Sequence, residues 1–450
     1  MQAVLNALAS NAQYLLAFLI VFTIIVFAHE FGHFIMGRLM GIRIEVFSFG
    51  MGKRLFGVKR GHTDYRVSLL PVGGYVKFLG EGLFEKDRPL EPDDFMAKKR
   101  WQRFLVIAAG AVMNILLAVI LMAGVNMAGV RFPVYQDQEP VIGWIEPGSP
   151  AEKAGLRPED GLLRINGRRV TTWTDVELAV STQPDKLLRL DIVRDGRPMT
   201  VELRTGKKTR YDMGYAGFFG KILTQLDLVV PGSPAEKGGL KPGDVVLQAN
   251  GRPVYFYGFV KVLEANPDKP LALEVRRAGR TVHLTVTPRR EGKVGKIGVQ
   301  QTPESEMKKF GFFPAIGQSI KDNLRLTTLV LRFIKGLFAG EVSTRQLGGP
   351  LEIARISGET MRMGFLALVS WIALFSLQLG IINLVPIPVL DGGQLFVLIL
   401  EGIFRRDFGP KLRTVWLQVG FVIFVLLIGF TILNDIMNRF PKGWGTLWPF

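Results

Sequence analysis

The chain contains no cysteine and only four histidines, His29, His33, His62 and His283, among its 450 residues. Without thiols no disulfide forms and no thiolate binds metal, so any metal ligands must come from histidine and carboxylate. Basic residues are missing from Met1 to Tyr14, so the first apolar run lacks the positive leading segment of a cleaved signal peptide. Ionisable residues are scarce elsewhere too. Asp391 is the only one between Arg362 and Glu401.

Hydrophobic residues make up 48% of the chain, with 32 Phe and a mean hydropathy of +0.24. This composition predicts a polytopic α-helical membrane protein with an attached soluble part. Four runs meet the length rule of roughly 17 to 25 apolar residues for a spanning helix: Leu15 to Gly37, Phe104 to Val130, Phe365 to Val385 and Val415 to Leu433. The net charge of +17 is concentrated in loops, which argues for membrane topology and against a nucleic-acid partner. Between the first two spans lie Lys53, Arg54, Lys59, Arg60, Arg66, Lys77, Lys86, Arg88, Lys98, Lys99, Arg100 and Arg103; between the last two lie Arg405, Arg406, Lys411 and Arg413. Both loops are expected on the cytoplasmic side. The termini and the long segment from about Arg131 to Gly364 then fall outside.

Within the first span, His29-Glu30-Phe31-Gly32-His33 is an H-E-x-x-H sequence. Side chains four apart project from one helical face about 6 Å apart along the axis, so two imidazoles can grip one Zn²⁺ while Glu30 holds an attacking water. Ionisable residues in hydrocarbon are costly and mark functional sites. A catalytic zinc takes a third protein ligand. The candidate is Asp391, in Asn383-Leu384-Val385-Pro386-Ile387-Pro388-Val389-Leu390-Asp391-Gly392-Gly393 after the third span, where prolines break the helix. The first and third spans run in the same direction, so both clusters arrive at similar depth. The alternative is an aspartate that caps the next helix as the chain leaves the membrane.

These two motifs, together with the soluble insert between the second and third spans, resemble the site-2 protease family of intramembrane zinc metalloproteases. Within it the chain resembles the bacterial regulators of sigma-E signalling, over essentially its whole length. The resemblance implies that His29, His33 and Asp391 hold zinc and Glu30 activates water. It also matches Gly110 and Asn114 in the second span, read as a close-packing position and a nearby hydrogen-bond donor, or simply as helix packing. The family's common proline after that glycine is Ala111 here, and Gln394 stands where relatives often have histidine. Asn383 resembles an asparagine that holds substrate backbone. Asp64 to Leu79, with Gly73, Gly74, Tyr75 and Val76, reads as strand, Pro-Gly turn and strand. In the family this is a membrane-associated β-hairpin whose edge pairs with substrate; otherwise it is an ordinary cytosolic hairpin.

The outer segment is duplicated. Pro147 to Pro158 recurs as Pro231 to Pro242, 84 residues on, with ten of twelve positions identical. Both copies resemble PDZ domains, α+β modules that take an extended peptide on a sheet edge; a steric size filter is the alternative role. The expected organisation is a membrane part over 1–130, modules over 136–215 and 216–292, an amphipathic juxtamembrane helix over 305–345, and a membrane part over 346–450. The expected function is intramembrane cleavage of a single-pass protein in the bacterial inner membrane. An anti-sigma factor already clipped outside is the substrate implied by the resemblance, and a remnant signal peptide is a second. The competing reading is a membrane-embedded PDZ adaptor with a non-catalytic metal site.

Overall fold

The computed structural model describes residues 2–81, 90–208, 213–340 and 342–439. Lys86 and Arg88 of the basic loop lie outside the described residues. Four helices are long and apolar enough to cross a membrane: Ala12–Leu39, Arg100–Ala128, Phe365–Asn383 and Lys411–Met437. The chain divides into two compact units, one of residues 1–129, 309–334 and 347–450, the other of 130–308 and 335–346.

The first unit is a helical bundle with a sheet beside it. Helix α1 (Gln2–Leu39) ends where Gly41 takes φ +66 and Ile42 N–H closes back on the Gly37 carbonyl. A β-rich segment follows, β1 (Ile44–Arg60) and β2 (Thr63–Phe78), then α2 (Arg100–Ala128). On return from the inserted unit come α3 (Phe312–Phe338), α4 (Pro350–Met363), α5 (Phe365–Asn383), α6 (Asp391–Ile403) and α7 (Pro410–Arg439). Small residues let α1, α2 and α5 approach closely. A Cβ on Gly32 would lie 2.3 Å from the Ala109 carbonyl oxygen, and one on Gly380 would lie 3.0 Å from that of Ala111. Ser376 Oγ, buried in α5, donates to the Asn114 carbonyl of α2 at 2.8 Å.

Two expectations are corrected. The strand-turn-strand expected within Asp64–Leu79 is one continuous strand, and its hairpin turn lies at Gly61-His62, where Gly61 has φ +62. The partner strand β1 starts at Ile44. Gly50 and Gly52, at φ +86 and +88, bend it so that Ile44–Phe49 pairs with Gly74–Phe78 on one side and Asp64–Val67 on the other. Phe56–Arg60 pairs with Thr63–Val67 in turn, so two strands build a sheet four segments wide. Second, the amphipathic stretch expected over 305–345 begins with a strand, Ser305–Lys308. Its helix α3 is packed on the bundle: Ser319 Oγ donates to the Val119 carbonyl at 2.7 Å, and Leu326 and Val330 cover Ala118, Leu377 and Ile381. Helix α6 follows the proline break directly and begins at Asp391.

The second unit holds two β-rich modules with separate cores. The first core runs from Ile142 to Phe218, past the expected boundary at 215, because Phe218–Gly220 pairs with Ile142–Ile145. The second runs from Leu226 to Ile297, under a sheet ordered 280–286, 271–277, 245–249, 224–229, 299–303. Strand Val130–Pro133 pairs antiparallel with Ser305–Lys308, so the unit's entry and exit strands run side by side.

The duplicated sequence builds a duplicated scaffold. Ser149 and Ser233 each accept from the backbone N–H three residues on, and each is followed by proline at the first turn of a short helix. Asp160 and Asp244 are fully buried, and each is gripped by one guanidinium: Arg194 at 2.7 and 2.7 Å, Arg277 at 2.7 and 2.7 Å. The same arginines also donate to the Gly155 and Gly239 carbonyls. Breaking such a pair leaves a buried charge without its partner. Asp244→Ala is therefore expected to destabilise the second module by about 3 kcal/mol. Chemical denaturation should show this as a lower midpoint for that transition alone, and an unchanged midpoint would contradict it.

Candidate metal centre

H-E-x-x-H lies in α1, and helical geometry brings His29 and His33 onto one face, with Nε2 atoms 3.1 Å apart. Asp391 reaches the same point from the start of α6. Its Oδ2 lies 3.1 Å from His29 Nε2 and 3.5 Å from His33 Nε2. Although Asp391 opens a helix, its side chain is turned to the imidazoles: the position before the helix is Leu390, and no side chain caps it. Both histidines are buried, each 8% exposed.

The donor atoms face one another around one point, and Asp391 Oδ2 is a buried oxygen with no hydrogen-bond partner of ordinary geometry. Nitrogen and carboxylate lone pairs held this closely repel unless a cation lies between them. Tetrahedral zinc with bonds of about 2.0 to 2.1 Å sets its donors about 3.3 Å apart. The observed separations fit that ion. Among the described residues, His29, His33 and Asp391 are the group whose donor atoms lie close enough to hold a metal, all within 4.8 Å.

Neighbouring groups fix how the imidazoles are presented. His33 Nδ1 donates to the Val106 carbonyl of α2 at 2.8 Å, so Nε2 keeps its lone pair for the centre. His29 Nδ1 has the amides of Asn114 and Asn383 at 3.4 Å each. A His29 that offers Nε2 to a metal carries its proton on Nδ1 and needs an acceptor. The Asn114 carbonyl oxygen, buried without a partner, supplies it once the amide turns its oxygen to the ring. Asn383, expected to meet substrate backbone, is thus in contact with a histidine here.

Gly110 is the floor of the cradle. A Cβ there would come within 2.4 Å of His33 Nε2 and 2.7 Å of His29 Cε1. Any side chain at this position would occupy the space in front of the imidazoles.

Glu30 points from α1 toward the sheet, and its Oε2 accepts the Val76 N–H at 3.0 Å. It interacts electrostatically with His33, His29 and Asp391. Of the other hairpin positions, Gly74 lies next to Glu30, whose Cγ would be 3.6 Å from an added Cβ. Gly73 takes φ +78. Gly74 leaves no room for a side chain, since a Cβ would lie 2.7 Å from the Ser48 carbonyl oxygen. Tyr75 Oη is held by Arg66. Two participants were invisible in the sequence: the Val106 carbonyl, because a backbone group carries no residue signature, and Glu81, which accepts the Phe78 N–H at 3.2 Å.

The model of the family described as Peptidase family M50 matches residues 17–427. A Vibrio cholerae protein described as a zinc metalloprotease is 33% identical over 447 residues, covering 93% of this chain and 97% of the relative. The regulator of sigma-E protease RseP of Escherichia coli K12 is 32% identical, covering 94% and 98%. The regulator of sigma E protease of Salmonella typhimurium LT2 is 33% identical over the same shares, 94% and 98%.

Gly110→Ala should lower zinc affinity about 10- to 100-fold by displacing the imidazoles, measured by competition with a chromophoric chelator. Gly124→Ala, on the same helix with nothing within 4 Å of the added methyl, should leave it unchanged. Equal affinities in the two variants would contradict the cradle.

Proposed function

The chain belongs to peptidase family M50, and from that premise we propose that His29, His33 and Asp391 hold the zinc and that Glu30 is the proton carrier of the reaction. The protein is a zinc metalloprotease of the site-2 type, carried in a membrane by apolar helices. The observation that supports the ligand assignment best is the triangle of donor atoms, with sides of 3.1, 3.1 and 3.5 Å.

Zinc bound there would polarise the scissile carbonyl and acidify water. Glu30 takes the proton of the attacking water and returns it to the leaving amine. The Asn114 amide oxygen keeps His29 in the tautomer that leaves Nε2 free, and the Val106 carbonyl does the same for His33.

A substrate helix shields its own peptide bonds, so the enzyme must hold it extended and offer new backbone partners. The segment Gly74–Phe78 ends the sheet on one side, pairing with Ile44–Phe49, and passes the centre where Val76 meets Glu30. We assign it as the edge to which substrate adds as a strand. The substrate is a transmembrane segment of a single-pass protein. Likeness to relatives named as sigma-E regulators favours an anti-sigma factor already cut outside, with a remnant signal peptide as a second candidate. The basic loops support a reading with the centre toward the cytoplasmic side of the inner membrane and the two modules outside. The modules are read as PDZ domains. Strand Val299–Pro303, paired only with Thr224–Val229 among the described residues, leaves an edge for a peptide; the pair also suits a filter against large outer domains.

Glu30→Gln should keep one zinc per chain and abolish chelator-sensitive cleavage of a single-span substrate, while Asp391→Asn should lower metal content and activity together. Metal lost with Glu30→Gln, or retained in full with Asp391→Asn, would contradict the roles. Val76→Pro removes an N–H that faces Glu30 rather than the ladder, so the sheet tolerates it. Cleavage should fall at least tenfold, and full activity would exclude the edge.

A further inference from the structure

Backbone groups alternate in direction along a strand, so in Gly74–Phe78 the N–H groups of Val76 and Phe78 face away from Ile44–Phe49. These are the donors an added strand would use. Neither is open. Glu30 Oε2 holds the first at 3.0 Å and Glu81 Oε2 holds the second at 3.2 Å. Glu81 also turns its own N–H back to the Phe78 carbonyl at 3.4 Å, so both backbone groups of Phe78 are occupied. Its carboxylate therefore sits on the same edge as Glu30, two residues further along the strand. Exposed donors on a sheet edge invite unwanted pairing, and inward-turned charges are a common guard against it.

We propose that Glu81 is a positioning residue for the proteolytic reaction: its carboxylate closes the substrate-binding edge at Phe78 and competes with the substrate strand for that donor. The inference rests on the assignment of Gly74–Phe78 as the substrate edge. It goes beyond that assignment by giving a role to a carboxylate the hydrolysis does not consume. A substrate strand that adds at Gly74 and Val76 displaces Glu30 from the Val76 N–H and so frees it for the water. At Phe78 it meets Glu81, which ends the pairing. The edge is thus shut by two carboxylates before substrate arrives, and only one of them does chemistry.

The full-length protein is tested with a single-span substrate under conditions that resolve KM from kcat. Glu81→Ala opens the Phe78 donor and should lower KM roughly fivefold, the size of one net backbone hydrogen bond, with kcat within twofold of wild type. Glu81→Gln keeps an acceptor oxygen at the same reach and should restore the wild-type KM. Glu81→Asp, one methylene short, should behave as the alanine variant and serves in its place should that variant fold poorly, as judged by zinc content. An unchanged or raised KM in Glu81→Ala, or a Gln variant that matches it, overturns the proposal. Should Val76→Pro still impair cleavage in that case, the edge assignment stands and only the role of Glu81 falls; full activity of Val76→Pro removes both.

Discussion

The arrangement depends on one electrostatic constraint: two imidazole nitrogens and a carboxylate oxygen are held within 3.1 to 3.5 Å of one another in a buried place. Three lone-pair donors this close must share a cation or a proton between them, and the donor set of two imidazoles and one carboxylate suits zinc. The backbone is arranged to impose this meeting. Gly32 and Gly110 bring α1 against α2, the prolines after α5 stop that helix, and α6 restarts with Asp391 facing the histidines. A side chain on Gly110, or one more turn of α5, would separate the donors.

Under the proposed function the sheet adds the second requirement of a protease that works on helices, a place where an unwound chain finds partners. Glu30 links the two requirements, because it leaves the metal-binding turn of α1 and ends on a backbone donor of the sheet. Metal chemistry and strand addition are therefore coupled through a single carboxylate. The scaffold of α2, α3 and α5 gives the coupling a fixed frame, with buried Ser319 and Ser376 each tied to a carbonyl of α2.

Much of this was legible in the sequence because the informative residues are rare where they occur. His29, Glu30 and His33 interrupt an apolar run, and Asp391 stands alone among nearly forty uncharged positions, so each is conspicuous against its surroundings. The duplicated Pro-Gly-Ser-Pro motif marked both modules, and the structure gives each copy the same serine cap and the same buried aspartate-arginine grip. The sheet was less legible. Its first strand mixes Gly50, Gly52 and Gly57 with basic residues and shows no alternation, since one strand bends to pair on both sides. The Pro71-Val72-Gly73-Gly74 sequence reads as a turn by composition, yet it continues a strand. Helix α4 carries helix signals, Pro350 and Glu352 at its start and Arg362 and Gly364 at its end, but it is too polar to stand out as an apolar run. The hydrogen bonds that join the Val106 carbonyl to His33 and the Val76 N–H to Glu30 are backbone contacts across 73 and 46 residues, which no local pattern encodes.

X-ray absorption at the zinc edge of the purified protein addresses the centre itself. The account predicts two imidazole nitrogens and oxygen donors at about 2.0 to 2.2 Å, with the imidazole scattering halved when His33 is replaced by alanine. A zinc surrounded by oxygen alone, or a spectrum indifferent to His33→Ala, would contradict it.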